Sequence, residues 1–135
     1  MRIGMIAPPW FPLPPQRYGG IEFVVSLLTE GLVARGHDVT LFASGDSETR
    51  ARLSYIFARA PFEQMENGLH LEVMHSLGAY LRADEFDVIH DHDGLASRAM
   101  GALVHRLTGT PVVATLHGPA DPITQQSLGS LRSEL

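Results

Sequence analysis

Short apolar runs alternate with stretches of helical periodicity along most of the chain. The first run, Ile3 to Ala7, meets Pro8-Pro9, which cannot extend a sheet ladder, and so predicts a buried strand. Pro8 to Tyr18 carries Pro12, Pro14 and Pro15 with Trp10 and Phe11, a stiff aromatic loop rather than a regular element. Behind Gly19-Gly20, the positions Ile21, Val24, Val25, Leu28 and Leu32 recur at helical spacing, and Arg35-Gly36 supplies a cationic last turn and a glycine stop. Val39 to Ala43 predicts a second strand leading into the turn Ser44-Gly45-Asp46-Ser47. Leu53 to Ala58 predicts a third, with imperfect alternation, and Glu48 to Arg52 offers a short helix as the alternative. Leu69, Val73, Leu77 and Leu81, with Met74 alongside, predict an apolar stripe on a helix from Phe62 to Arg82. Asp87 to His90 predicts a fourth strand. Leu95, Ala99, Leu103 and Leu107 mark a helix closed by Thr108-Gly109, and Pro111 opens a strand from Val112 to Leu116.

Strands alternating with helix-length crossovers imply a mainly parallel sheet covered on both faces, with right-handed connections. The expectation is a Rossmann-like three-layer α/β/α domain over residues 1–119, strand order 3-2-1-4-5, with ligands beyond the carboxyl ends of the strands. Residues 120–135, with Leu128, Leu131 and Leu135, read as a terminal helix or tail. At 135 residues the chain has the size of one ordinary domain, so a cleft between two domains needs a second wall from elsewhere. A 44% hydrophobic and 19% charged composition can bury a core.

A net charge of -5 offers no basic stripe for a phosphate backbone, so nucleic acid is not an expected partner. The absence of cysteine removes disulfides, thiolate nucleophiles and cysteine metal sites. The opening apolar run is too brief for a signal-peptide core or a membrane span, which points to an untargeted, cytoplasmic protein without an integral membrane segment.

Three constellations could carry chemistry. In Tyr18-Gly19-Gly20-Ile21-Glu22, two glycines sit where a helix exposes free amides and its positive dipole end, allowing a diphosphate close to the main chain. The same pair could simply make the turn, and it is neither a Walker loop nor a GxGxxG fingerprint. In His90-Asp91-His92-Asp93, strand alternation places the histidines on one side and the aspartates on the other, so the four cannot face one ion. His117 could complete a histidine set, but the reading is a polar cleft wall, with neither a metal nor a cofactor expected. His117, in Thr115-Leu116-His117-Gly118-Pro119, sits at the tip of the fifth predicted strand, where it could meet a substrate hydroxyl or phosphate or satisfy loop carbonyls. His37 reads as a capping residue, and His70, His75 and His105 as surface or packing residues. No GxSxG elbow occurs. A dehydrogenase fragment is disfavoured, because Pro8-Pro9 stands where its glycine fingerprint belongs.

Five segments, taken in order, resemble the amino-terminal domain of the retaining GT-B glycosyltransferases, the large family 4-like group that includes sucrose and glycogen synthases. They are Ile3 to Pro9, Tyr18 to Glu22, Leu32 to Gly45, Asp87 to His92 and Thr110 to Pro119. The resemblance implies a domain that holds an acceptor and faces a nucleotide-sugar donor across a cleft. It places Gly19 and Gly20 at the donor diphosphate, His117 near the reacting sugar, and Tyr18, His92 and Asp93 at the acceptor. It also implies transfer with retention, generally without a metal. The family's donor-gripping Arg/Lys pair and its glutamates spaced by seven have no counterpart in this sequence. A donor-binding domain on another chain, or self-association, is therefore an expected partner, and independent activity of the isolated chain is not expected. A binding module without turnover is the alternative.

Overall fold

The computed structural model describes residues 1–118 together with Pro122 and Gln126. Apart from those two, the expected terminal helix or tail over 120–135 lies outside the described residues. Five strands, β1 (Arg2–Ile6), β2 (Asp38–Phe42), β3 (Arg52–Ser54), β4 (Val88–Asp91) and β5 (Val112–Ala114), form one parallel sheet in the order β3-β2-β1-β4-β5. The order is the one expected from the sequence. Three α-helices accompany them, α1 (Gly20–Ala34), α2 (Leu69–Tyr80) and α3 (Leu95–Thr108), with short 3₁₀ helices at Phe62–Asn67 and Ala83–Glu85.

Alternation along the central strand builds the layers. Ile3, Met5 and Ala7 pack with Val39, Leu41 and Val25, and Leu28 and Leu32 of α1 close over them. Ile6 points the other way, among Phe42, Ile89, Ala79 and Tyr80, with Met100 and Val104 of α3 at the margin. Met5, Ile6, Leu41 and Ile89 are fully shielded from solvent, and burying each such side chain stabilises the fold by about 1.5–3 kcal/mol. The proline-rich loop joins this core through Leu13, whose N–H donates to Ser47 Oγ at 3.0 Å.

Four expectations are corrected. The third strand stops at Ser54 because the chain then curls over Gly45, whose N–H donates to the Phe57 carbonyl at 2.8 Å. The alternative helix over Glu48 to Arg52 does not form; Thr49 Oγ1 and the Arg50 N–H both donate to the Glu30 carboxylate instead. The long helix from Phe62 is broken at Gly68, where a Cβ would lie 2.5 Å from the Trp10 ring and 2.6 Å from the Gln64 carbonyl.

The apolar stripes of the last two helices are the fourth correction. On α2, Leu69, Met74 and Leu77 face solvent, as does Leu81 just past its end, while His75, Ser76, Ala79 and Tyr80 are buried. On α3, Leu95, Leu103 and Leu107 are exposed, while Ser97 and Gly101 are buried. Packing here obeys hydrogen bonding and close approach rather than periodicity. A Cβ at Gly101 would lie 2.5 Å from Tyr80 Oη, so only glycine lets α3 come this near to α2.

Candidate functional site

A cleft of ≈ 350 Å³ opens at the carboxyl ends of β1, β4 and β5. Tyr18, Gly19, Gly20, His92, Asp93 and His117 all line it, so the residues singled out in the sequence share one site. The sheet explains the convergence. The His92 N–H donates to the Ile6 carbonyl at 2.9 Å and the Thr115 N–H to the Asp91 carbonyl at 2.9 Å, which puts the loop after β4 between the ends of its neighbours.

The two glycines differ. Gly19 has φ 131, and a Cβ there would sit 2.9 Å from both Glu22 Oε2 and Pro15 Cβ, so its smallness is demanded by the fold itself. Gly20 has no atom within 4 Å of where a Cβ would stand, and its conformation is ordinary. No packing reason accounts for glycine there. As the N-cap of α1, Gly19 contributes no side chain to the helix's first amides. Tyr18 is exposed on the rim, edge-on to the Phe11 ring with centroids 5.6 Å apart.

The aspartates turn to the helix side, as alternation requires. Asp91 Oδ2 accepts from Tyr80 Oη and Ser97 Oγ, each at 2.7 Å, and its Oδ1 accepts from the Asp93 N–H at 2.8 Å. Asp93 Oδ2 accepts from Ser76 Oγ at 2.6 Å and its Oδ1 from the Gly94 N–H at 2.8 Å. Both carboxyl groups are buried. Burial drives the Asp93 pKa up to about 7, and the nearby Glu72 and Asp91 push the same way. Tyr80, shielded and beside Asp91, is held strongly towards its neutral phenol.

The histidines turn to the opposite side and stack. His90 and His92 have ring centroids 4.1 Å apart, and His92 and His117 5.1 Å apart. His92 Nδ1 and His117 Nε2 are 2.8 Å apart, a bond in which one nitrogen carries the proton and the other accepts it, so at least one ring is neutral. His90 Nε2 bonds Thr115 Oγ1 at 2.8 Å. Burial, with His90 and His117 alongside, lowers the His92 pKa to about 3, and burial also lowers that of His117. Among the described residues, no group of three or more His, Asp or Glu side chains converges so as to hold a metal ion. Elsewhere, His75 is the packing residue expected, bonding the Ala7 carbonyl at 2.9 Å with its pKa lowered by burial to about 4.

Sequence reasoning missed three wall residues. Glu22 is buried in the first turn of α1, and the Glu72 carboxylate reaches from α2 into the space that a side chain at Gly94 would fill. Burial raises the pKa of both carboxyls. Arg98, in the second turn of α3, also lines the cleft. Four buried side-chain polar atoms lack a partner among the described residues, and three belong to cleft residues: His92 Nε2, Arg98 Nε and Arg98 Nη1. The available signal for Arg98 was its place, shortly after a strand end that faces the ligand crevice.

Asp93 makes stability pH-dependent in a defined direction. Its folded pKa of about 7 exceeds the ordinary 3.8, so the folded state holds the proton more tightly. That stabilisation is complete below the unfolded pKa and is lost as pH rises through the folded one. Asp93→Asn, which mimics the protonated acid, should therefore match wild type near pH 4 and exceed it at pH 8 by up to about 4 kcal/mol. Urea denaturation of both proteins across that range checks the prediction, and a constant difference would refute it.

Over residues 18–134 the chain matches the family model described as Glycosyltransferase Family 4. The chain belongs to glycosyltransferase family 4. The family resemblance carried by the five segments is thereby borne out. Among solved structures, this family 4 chain is similar to AviGT4, described as a glycosyltransferase involved in avilamycin A biosynthesis, with 28% identity and a TM-score of 0.48. The match covers 84% of the family 4 chain and 31% of AviGT4. The family 4 chain thus spans about a third of that protein's length. A search of curated proteins gave no match. No helix among the described residues of the family 4 chain is long and apolar enough to cross a membrane.

Proposed function

We propose that residues 1–119 form the acceptor-side half of a GT-B glycosyltransferase that transfers a sugar from a nucleotide-sugar donor. The observation that carries this reading is Gly20, a glycine with no packing reason to be one, at the amino end of a long helix and on the wall of the cleft. A diphosphate can approach such a main chain closely, with the helix amides and dipole facing its charge. Gly19 holds the turn that aims those amides. His117 meets the reacting sugar or its phosphate, with one ring nitrogen fixed by His92. Tyr18, His92 and Asp93 shape the acceptor pocket, with Asp93 tied into the wall through Ser76 and Gly94. A neutral His117 suits hydrogen bonding to a hydroxyl rather than ion pairing. The positive charge that stabilises the departing diphosphate comes mainly from a donor-binding domain, on this or another polypeptide.

Calorimetric titration with nucleoside diphosphates and nucleotide sugars tests the reading. Gly20→Val should weaken binding at least tenfold, because its side chain projects into open cleft, while changing folding stability by no more than about 0.5 kcal/mol. Undiminished binding by Gly20→Val would sink the phosphate-facing role of this helix. His117→Ala should weaken nucleotide sugars more than free diphosphates if the ring contacts the sugar.

A further inference from the structure

We propose that Arg98 makes the cleft an oxyanion site, with a phosphate or carboxylate group of the bound molecule accepting from its guanidinium. The inference adds to the glycosyltransferase reading a charged recognition element that the glycine pair does not supply.

Arg98 stands out first by what it lacks. Its Nε and Nη1 are shut away from water and have no acceptor. A guanidinium stays charged at any physiological pH and offers five N–H donors in a planar fork. Withdrawing such donors from water without an acceptor is unfavourable, so the arrangement is incomplete until one arrives. Four other arginines hold carboxylates, Arg2 with Asp87, Arg50 with Glu30, Arg52 with Asp38 and Arg82 with Glu85, whereas among the described residues Arg98 is the arginine whose guanidinium nitrogens are buried without an acceptor.

The surroundings favour an anion from outside. The carboxyls lining the cleft belong to Glu22, Glu72 and Asp93, and burial biases all three towards the neutral acid. His92 and His117 are biased towards neutral imidazole. Among the described residues that line the cleft, Arg98 is the one arginine, and its charge does not depend on pH. Both oxygens of the adjacent Asp93 already accept bonds, from Ser76 and Gly94. The His92 Nε2 left without a partner on the same wall gives a bound phosphate or carboxylate a second polar neighbour.

Two molecules could carry the group: the donor, through its diphosphate, or an acceptor bearing a phosphate or carboxylate. Titrating the full chain and its Arg98→Gln variant with a nucleoside diphosphate, a hexose 6-phosphate and a hexuronate separates them. Binding of at least one anion should weaken tenfold or more in Arg98→Gln. Dependence confined to the diphosphate assigns the group to the donor, and dependence for a sugar anion assigns it to the acceptor. The same anion should raise the thermal midpoint of wild type but not of the variant. Without ligand, Arg98→Gln should be as stable as wild type or more so, since it removes two buried donors that lack an acceptor.

A structural role, with Arg98 offsetting the wall carboxyls, predicts instead that Arg98→Gln destabilises the ligand-free chain. Should that variant fail to fold, Arg98→Lys keeps the charge but not the fork, and an unchanged anion affinity in it overturns the proposal. So does wild-type binding of no anion, or equal binding by wild type and Arg98→Gln. Loss of nucleotide-sugar binding in Gly20→Val alone, with Arg98→Gln unaffected, would leave the glycosyltransferase reading standing while removing this one.

Discussion

Asp91→Ala is expected to destabilise the fold by about 3–5 kcal/mol, because it strands three buried donors at once and each unsatisfied one costs about 1–3 kcal/mol. Those donors are Tyr80 Oη, Ser97 Oγ and the Asp93 N–H, gathered from α2, from α3 and from the loop between β4 and α3. Loss of one carboxylate also relieves repulsion on Asp93 and Glu72, which offsets part of the cost. Asp91→Asn should lose less, about 1–2 kcal/mol, since an amide oxygen at the Oδ2 position keeps the Tyr80 and Ser97 bonds. Denaturant unfolding of the two variants measures both values. A loss below about 1 kcal/mol for Asp91→Ala would mean that water or a rearranged side chain replaces the carboxylate, and the network would not organise the site as described.

Gly101→Val should be the next most damaging change, at about 3 kcal/mol or more, near the upper end for overpacking a core. The first added carbon alone meets Tyr80 Oη at 2.5 Å and Val112 Cγ1 at 3.0 Å. Tyr80 cannot simply swing aside, because it is buried and its hydroxyl holds Asp91. Gly101→Ala makes the same first contact but gains about 1 kcal/mol of helix propensity, so its loss should be smaller. The mechanism is checked by repeating Gly101→Val in a Tyr80→Phe background, where the offending oxygen is gone. The penalty should shrink by at least about 1 kcal/mol, and strict additivity would show that the clash lies elsewhere.

Both predictions concern a part of the molecule that the sequence pattern described badly. Strand positions were legible because a buried parallel strand is a short apolar run between turn residues, as Ile3 to Ala7 and Val39 to Ala43 are. Strand order followed from alternation of element types. The faces of α2 and α3 were not legible. Leu69, Leu77, Leu103 and Leu107 are spaced as a core stripe would be, yet the inward positions belong to Ser76, Tyr80, Ser97 and Gly101. Nothing in a hydropathy pattern distinguishes a helix that packs through leucines from one that must satisfy two buried aspartates. The cleft was legible in outline, since glycines and histidines at strand ends announce themselves by position. Its polarity was not, because the bias of Glu22, Glu72 and Asp93 towards the neutral acid arises from burial by elements distant in sequence. Arg98 had only its place after a strand end to mark it, because an arginine in a helix is unremarkable until its neighbours are known.

The outward leucines carry a practical consequence. With hydrogen-bonding groups and a glycine holding α2 and α3 together from within, the greasy residues on their outer sides are not what fastens these helices to the sheet. The outward leucines and the residues that line the cleft are therefore separate sets. The outside of this domain can be recoloured from apolar to polar for solubility, or complemented by another protein's surface, without rewriting the site inside it.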